Sequence, residues 1–351
     1  MSGDLQGDLQ AGDLQAGDLQ PWDLQPWDLR AGDIGASDMP VADMRASGLR
    51  VGLDIGATKV LGVVMDANGT VVAQSRQDTR PGPDGILGSA ATVLDLLAAR
   101  LHGALPRHIG IGIPGIVDRG RGAVRHAVNL GLGGDWFPLA DRLADRAGAV
   151  VVVENDLNAA TWGAHVLSGA DDLAYLSLGT GLAAGFVLSG TLRRGAHGVA
   201  GEIGHVPVDP VGALCSCGQR GCLELRASGS ALSAAWPAQG EALPAGTLPA
   251  EALFAAAAAG NPAAIAARAR FAAGVADAIR MIGLTVDPAA IIIGGGVAHA
   301  GEPLLAAVTT ALRAQAAASP FLAALDLVGR VSLLPGRAPA GAIGAALIGN
   351  A

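Results

Sequence analysis

The chain has 351 residues, 51% of them hydrophobic and 15% charged, which argues for a folded protein with room for two full cores. Its net charge of −8 is lopsided: residues 1–48 carry nine Asp against two Arg, so the body that follows is almost neutral and lacks the basic footprint that nucleic acid requires. There is no charge-free apolar run of about 18–20 residues, and Met1-Ser2-Gly3-Asp4 lacks the basic and apolar regions of a signal peptide, so a membrane partner is excluded and the cytoplasm is expected.

Residues 2–50 form a decaying five-residue repeat, with Gly-Asp-Leu-Gln early and Pro21-Trp22-Asp23-Leu24 later. It loosely resembles pentapeptide-repeat proteins, but Trp22 and Trp27 occupy the position that must be small, and so short an array builds too few coils for a solenoid core. A disordered acidic leader over 1–48 is the expectation.

The first strand is predicted over Leu49–Ile55, where Val51, Leu53 and Ile55 alternate with Arg50, Gly52 and Asp54. The turn Gly56-Ala57-Thr58-Lys59 leads to a second strand, Val60–Asp66, and Asn68-Gly69 signals a hairpin before Thr70–Gln74. A helix is expected over Ile86–Leu101, then strands His108–Ile113 and Val150–Val153, then a helix from Leu157 to Val166. Leu173–Leu178, Gly179-Thr180-Gly181 and Ala183–Leu188 repeat the opening unit of strand, Gly/Thr turn and strand, which suggests a duplicated fold. The last third predicts helices over Pro262–Ile282, Glu302–Ala318 and Ala340–Ile348, with strands at Ala290–Ile293 and Val328–Leu334. This mixture reads as two α/β domains facing each other.

Glycine turns after strands let backbone N–H groups approach a phosphate, because no Cβ intervenes. Asp54, Gly56, Thr58 and Lys59 add a carboxylate that suits a water-held magnesium ion, a hydroxyl and a cation. Gly179-Thr180-Gly181 and Gly294-Gly295-Gly296 are two more such turns, and together the three point to a nucleotide cleft. Asp156 follows the strand Val150–Val153 and precedes a helix. Alone it reads as a helix N-cap; in a phosphotransferase cleft the same place suits a general base.

All three cysteines, Cys215, Cys217 and Cys222, fall within eight positions, and His205 stands ten residues ahead of the first. Three thiols and an imidazole make a closed tetrahedral zinc shell. The alternative is a reduced cluster, or a disulfide with one thiol left over. Glu202 and Glu224 bracket the four ligands and are not needed to complete the shell, so they are expected to face something else.

From about residue 49 to the end, the sequence resembles the ROK family of sugar kinases and repressors in the actin-like ATPase superfamily. Gly52-Leu53-Asp54-Ile55-Gly56-Ala57-Thr58-Lys59 resembles its phosphate-1 motif, and Leu178-Gly179-Thr180-Gly181 its phosphate-2 motif. Ile292-Ile293-Gly294-Gly295-Gly296-Val297 resembles its adenosine motif, and Glu154-Asn155-Asp156-Leu157-Asn158-Ala159-Ala160 the segment carrying the catalytic aspartate. Glu202-Ile203-Gly204-His205 with Cys215-Ser216-Cys217-Gly218-Gln219-Arg220-Gly221-Cys222-Leu223-Glu224 resembles its zinc-and-sugar signature, the most specific of the set. Two departures stand out: Ala183 replaces a frequent Gly, and Pro339 stands where an acidic residue is common.

The resemblance implies two actin-like (ribonuclease H-like) α/β domains flanking a cleft, with a structural zinc loop. The smaller would span 49–115 and be completed by 335–351; the larger would span 116–334. It implies Asp156 as base, and sugar contacts from Asn129, Asn155, Asp156, Glu202, His205 and Glu224, with His205 also binding zinc. The implied activity is ATP- and Mg2+-dependent phosphorylation of a hexose at its 6-hydroxyl by a homo-oligomer, a dimer or tetramer. Glucose is preferred over N-acetylmannosamine, N-acetylglucosamine, allose or fructose, because Gly201 precedes Glu202 where the fructokinase-like form has Pro. The rivals are a sugar-responsive repressor, which needs a helix-turn-helix ahead of Leu49 where the sequence is acidic, and a catalytically silent sugar-binding protein.

Overall fold

The computed structural model describes residues 48–336 and 338–348, apart from 102, 104 and 237–246. The acidic repeat of residues 1–47 lies outside the described residues.

Alternating apolar residues build the opening meander as the sequence predicts: β1 (Arg50–Ile55), β2 (Lys59–Met65) and β3 (Val71–Asp78) pair antiparallel, with Val51, Leu53 and Ile55 fully buried. Helix α1 (Pro83–Arg100) starts with Pro at its first position and buries Ile86, Val93, Leu94 and Leu97 against β2 and β3. Strand β4 (His108–Ile113) runs parallel to β1. A hairpin, β5 (Ile116–Asp118) and β6 (Ala123–Arg125), and helix α2 (Leu139–Ala147) precede β7 (Val150–Asn155), which lies parallel to β4. The first sheet is therefore β3-β2-β1-β4-β7. The sequence places a domain boundary at residue 115; strand pairing carries this sheet on to Asn155.

Helix α3 (Asp156–Ser168) leads to the second sheet. There β8 (Leu173–Leu178), β9 (Leu182–Leu188) and β10 (Thr191–Arg193) form another antiparallel meander. Short helices α4 (Glu224–Ala227) and α5 (Gly229–Ala235), then α6 (Pro249–Ala258) and α7 (Pro262–Thr285), precede β11 (Ala290–Gly294), which is parallel to β8. Helices α8 (Glu302–Ala317), α9 (Pro320–Ala324) and α10 (Leu327–Arg330) lead to β12 (Val331–Leu333), parallel to β11, and α11 (Ala340–Ile348) ends the described chain. The order β10-β9-β8-β11-β12 repeats the plan of the first sheet, a meander followed by two parallel strands, so the duplication suggested by the two Gly/Thr turns is real.

One predicted strand starts later than expected. The Asp326 carboxylate accepts the Gly329 N–H at 3.3 Å and caps a helical turn over Leu327–Arg330, so the strand begins at Val331 rather than Val328.

Helices α3 and α11 bind the halves together: α11 packs on α3, β1 and β4, while α3 also reaches β8 and β9. Their approach is too close for side chains at the crossing. A Cβ on Gly344 would run into the Ala159 carbonyl, and one on Gly163 into the Ala340 carbonyl. In the second half, Phe271, Val275, Ile279 and Ile282 line the buried face of α7. Helices α6 and α7 are apolar enough together to resemble a broken span but bend by 119°; no single helix among the described residues is long and apolar enough to cross a membrane.

Candidate active site

Asp156 is the first residue of α3, at the carboxyl end of β7. The capping role belongs to its neighbour. Asn155 Oδ1 accepts the N–H groups of Leu157 at 3.0 Å and Asn158 at 3.2 Å, and Asn155 Nδ2 donates to the Gly115 carbonyl at 3.3 Å. Asp156 Oδ1 accepts the Leu157 N–H at 2.9 Å, and its carboxylate is not used to cap the helix beyond that first turn. Burial pushes its carboxyl up to about 6, against the pull of the Leu157 N–H and its own, with the charge of Glu202 adding to the rise. A half-buried carboxylate titrating there is suited to accept a proton near neutral pH.

Asp54, at the end of β1, belongs to the same site. Its carboxyl is pushed up to about 7 by burial and by the charge of Asp156, with Lys59 opposing. The turn that follows is pinned: Gly56 N–H donates to the Lys59 carbonyl at 2.9 Å, and Thr79 Oγ1 donates to the Gly56 carbonyl at 2.7 Å. Thr58 and Lys59 are exposed on it.

The second turn, Gly179-Thr180-Gly181, joins β8 to β9 and is braced by the start of α5. Gly229 N–H donates to the Gly179 carbonyl at 2.8 Å, and Ser230 N–H to the Thr180 carbonyl at 3.3 Å. The third, Gly294-Gly295-Gly296, follows β11. Gly295 has φ +83°, and a Cβ there would meet the Leu178 carbonyl oxygen at 2.6 Å, so this position requires glycine. Tyr175, the sole tyrosine, was missed by sequence reasoning. Its ring lies under Gly294, and burial and the charges of Asp54 and Asp156 hold its hydroxyl above the ordinary tyrosine range, opposed by the Gly295 N–H.

Glu202 is exposed and precedes the 3-10 turn Ile203–His205. His205 Nδ1 lies 3.8 Å from Cys215 Sγ, Cys217 Sγ lies 3.6 Å from Cys222 Sγ, and the ligand atoms of all four residues fall within 4.8 Å of one another. Donors bound at about 2.0–2.3 Å to one tetrahedral ion stand about 3.3–3.8 Å apart, so the two closest pairs have the spacing of such a shell and the cluster as a whole is compatible with a zinc site. The backbone and side-chain N–H groups of Gln219 hold the Cys217 thiol down to about 6, whereas burial and the neighbouring thiols push Cys222 up to about 12, so without a metal the thiols share protons rather than all ionising. None of the three cysteines is in a disulfide.

Glu224, two residues beyond Cys222, turns back to the second glycine turn, where its Oε2 accepts the Leu182 N–H at 3.1 Å. Asn129 sits exposed on the 3-10 turn Val128–Leu130. Sequence reasoning also missed Glu154, a buried carboxylate held by Arg119 and Arg194; the charged residue closing the apolar run Val150–Val153 was its available signal. A cavity of about 620 Å3, bordered by Asp95, Arg107, Asp145 and Arg146, opens at the amino ends of β4 and β7 and contains none of the site residues.

Two like α/β halves, three glycine turns after strands and two carboxylates raised by burial, one of which perturbs the other, define a two-lobed, actin-like protein with a nucleotide-type cleft. Comparison with known proteins agrees. The ROK family model matches residues 50–350. The chain is 37% identical over 284 residues to the glucokinase of Streptomyces coelicolor, covering 74% of this chain and 85% of that one. It superposes on the ROK family glucokinase of Streptomyces griseus, solved with glucose and AMPPNP, with a TM-score of 0.70 and 33% identity, covering 86% of this chain and 99% of the other. A ROK family transcriptional regulator superposes with a TM-score of 0.71 at 25% identity, with 87% of this chain matched and 78% of that one. The chain belongs to the ROK family.

Proposed function

We propose that this protein is an ATP-dependent hexose kinase that phosphorylates the sugar 6-hydroxyl, with glucose as the preferred substrate. The observation that carries the reading is the Asp156 carboxylate. It is relieved of helix capping by Asn155, raised to about 6 by burial, and close enough to Asp54 to perturb it. The names of the similar Streptomyces proteins support the substrate. A regulator would have no need of a carboxylate kept ready for a proton, so the same observation favours an enzyme over the repressor and the silent sugar-binder.

In this reading ATP lies across the glycine turns, with Gly56, Thr58, Lys59, Gly179, Thr180 and Gly181 at the phosphates and Gly294, Gly295 and Gly296 at the adenosine. Asn129, Asn155, Glu202, His205 and Glu224 hold the sugar hydroxyls. Asp156 takes the proton of the 6-hydroxyl as that oxygen attacks the γ-phosphorus in line. Asp54, a half-buried carboxylate with Lys59 as its counter-charge, suits Mg2+, which would offset phosphate charge. His205, Cys215, Cys217 and Cys222 would hold a structural zinc that fixes the loop between Glu202 and Glu224. Closure of the halves would exclude water, the competing acceptor.

A cytoplasmic location is part of the proposal, supported by three cysteines that are all free thiols. A homo-oligomer is part of the proposal, supported by exposed Val206, Val211 and Leu214 beside the cysteine loop, and sedimentation of the full chain tests it. The activity is tested by a coupled assay over a panel of hexoses with Mg-ATP. Glucose should give the highest kcat/KM, and turnover of no hexose in zinc-replete protein would overturn the kinase.

A further inference from the structure

Glu154 is 2% exposed, pairs with Gly112 of β4 two residues before the proposed base, and has no part in the chemistry described above. Each of its oxygens has a distinct task. Oε1 accepts the Asn155 N–H at 3.0 Å and the Asn158 Nδ2–H at 3.0 Å, which ties it to the first turn of α3 and so to the frame of Asp156. Oε2 accepts Arg194 Nε at 2.7 Å and lies 3.1 Å from Arg119 Nε. Arg119 comes from the turn between β5 and β6, on the side of the first sheet, and Arg194 follows β10 of the second sheet. Arg194 also opens the stretch that delivers Glu202. That stretch closes on itself through the Ala200 N–H to the Arg194 carbonyl at 3.2 Å, and is stitched to β9 by the Ala184 N–H to the Gly201 carbonyl at 2.8 Å.

A buried carboxylate that served stability alone would be satisfied by one guanidinium, and buried ion pairs are poor stabilisers against apolar replacements. Here one oxygen gathers an arm from each half while the other grips the base segment. We propose that Glu154, through Arg119 and Arg194, is a positioning residue that keeps Asp156 and the Glu202-bearing stretch in register across the cleft, so that bound sugar meets the base. The inference rests on the hexose-kinase reading.

The test is steady-state kinetics of the full, zinc-loaded chain, varying sugar and ATP separately, for Glu154→Gln, Arg119→Gln, Arg194→Gln and the double variants. Arg194→Gln should raise the sugar KM by roughly ten-fold and lower kcat, with the ATP KM within about two-fold of wild type, because the phosphate turns are not on the displaced stretch. Arg194→Lys, which keeps the charge, should recover part of the loss. In a Glu154→Gln background, Arg194→Gln should add less than about two-fold, since the partner it acts through is gone. An Arg194→Gln penalty of equal size in both backgrounds, or sugar and ATP constants moving together, would overturn the proposal. Should Glu154→Gln fail to fold, the arginines decide it, since both are partly solvent-exposed at 36% and 31%. Their combined loss must exceed the product of the single losses, because only the pair leaves the carboxylate unmatched, and simple multiplication would refute the shared node. Failure of the parent reading looks different: wild type itself would phosphorylate no hexose.

Discussion

The carboxylate of Glu224 accepts the backbone N–H of Leu182 at 3.1 Å, which ties the end of the cysteine loop to the exit of the Gly179–Gly181 turn. The fit is close: a Cβ at Gly181 would stand 2.5 Å from Glu224 Oε2, so a side chain there would push the carboxylate off the Leu182 N–H. One group thus borders both the proposed sugar subsite and the proposed phosphate subsite.

This separates the two glutamates of the loop. Glu224→Ala should raise the KM for both sugar and ATP, because it removes a hydroxyl contact and unties the phosphate turn. Glu202→Gln should raise the sugar KM alone. Steady-state constants with each substrate varied in turn check the distinction, and an ATP KM left untouched by Glu224→Ala would count against the linkage.

The cysteine cluster predicts stoichiometric zinc in purified protein. Cys217→Ser should lose the metal and most of the activity, because the loop between Glu202 and Glu224 would slacken. Metal analysis beside activity decides it, and full turnover from a zinc-free preparation would contradict the assignment.

Acidity should move activity and stability in opposite directions. Asp156 titrates at about 6 and Asp54 at about 7, both above the ordinary 3.8, so the ligand-free fold holds protons that the unfolded chain releases. The stability favoured by these neutral carboxyls is complete below about pH 4 and is lost as pH rises through 6 to 7. The kcat, by contrast, should rise through about pH 6 as the base ionises. Asp54→Asn should raise the melting temperature at pH 8 but not at pH 4, which thermal melts at the two pH values will show. An equal shift at both would mean that Asp54 carries no burial cost.

Much of this arrangement is legible in the sequence because it lies in short, local patterns. Strands His108–Ile113 and Leu173–Leu178 and helix Ala340–Ile348 have the limits their composition predicts. The repeated strand, Gly/Thr turn and strand announces two sheets of one plan. The cysteine spacing announces its own convergence, since the chain between ligands is too short for them to stray. Helix α2 was not legible because only Leu139, Ala140 and Leu143 of its nine residues are buried, too few to show a period. Asn155 and Asp156 are both cap-forming residues, and only the observed hydrogen bonds show which one caps and which is left for chemistry. The grip of Arg119 and Arg194 on Glu154, and of Glu224 on Leu182, joins residues distant in sequence with no local pattern to betray them.

The central claim is that Asp156 is the base, and Asp156→Asn tests it most directly. The amide keeps the side chain's shape and reach but cannot take the proton. Loss of a general base costs roughly 10²–10⁴ in rate, so kcat for glucose should fall by at least about 10² while glucose affinity, measured by calorimetry on the same variant, changes by less than about ten-fold. Near-normal kcat in Asp156→Asn would contradict the account.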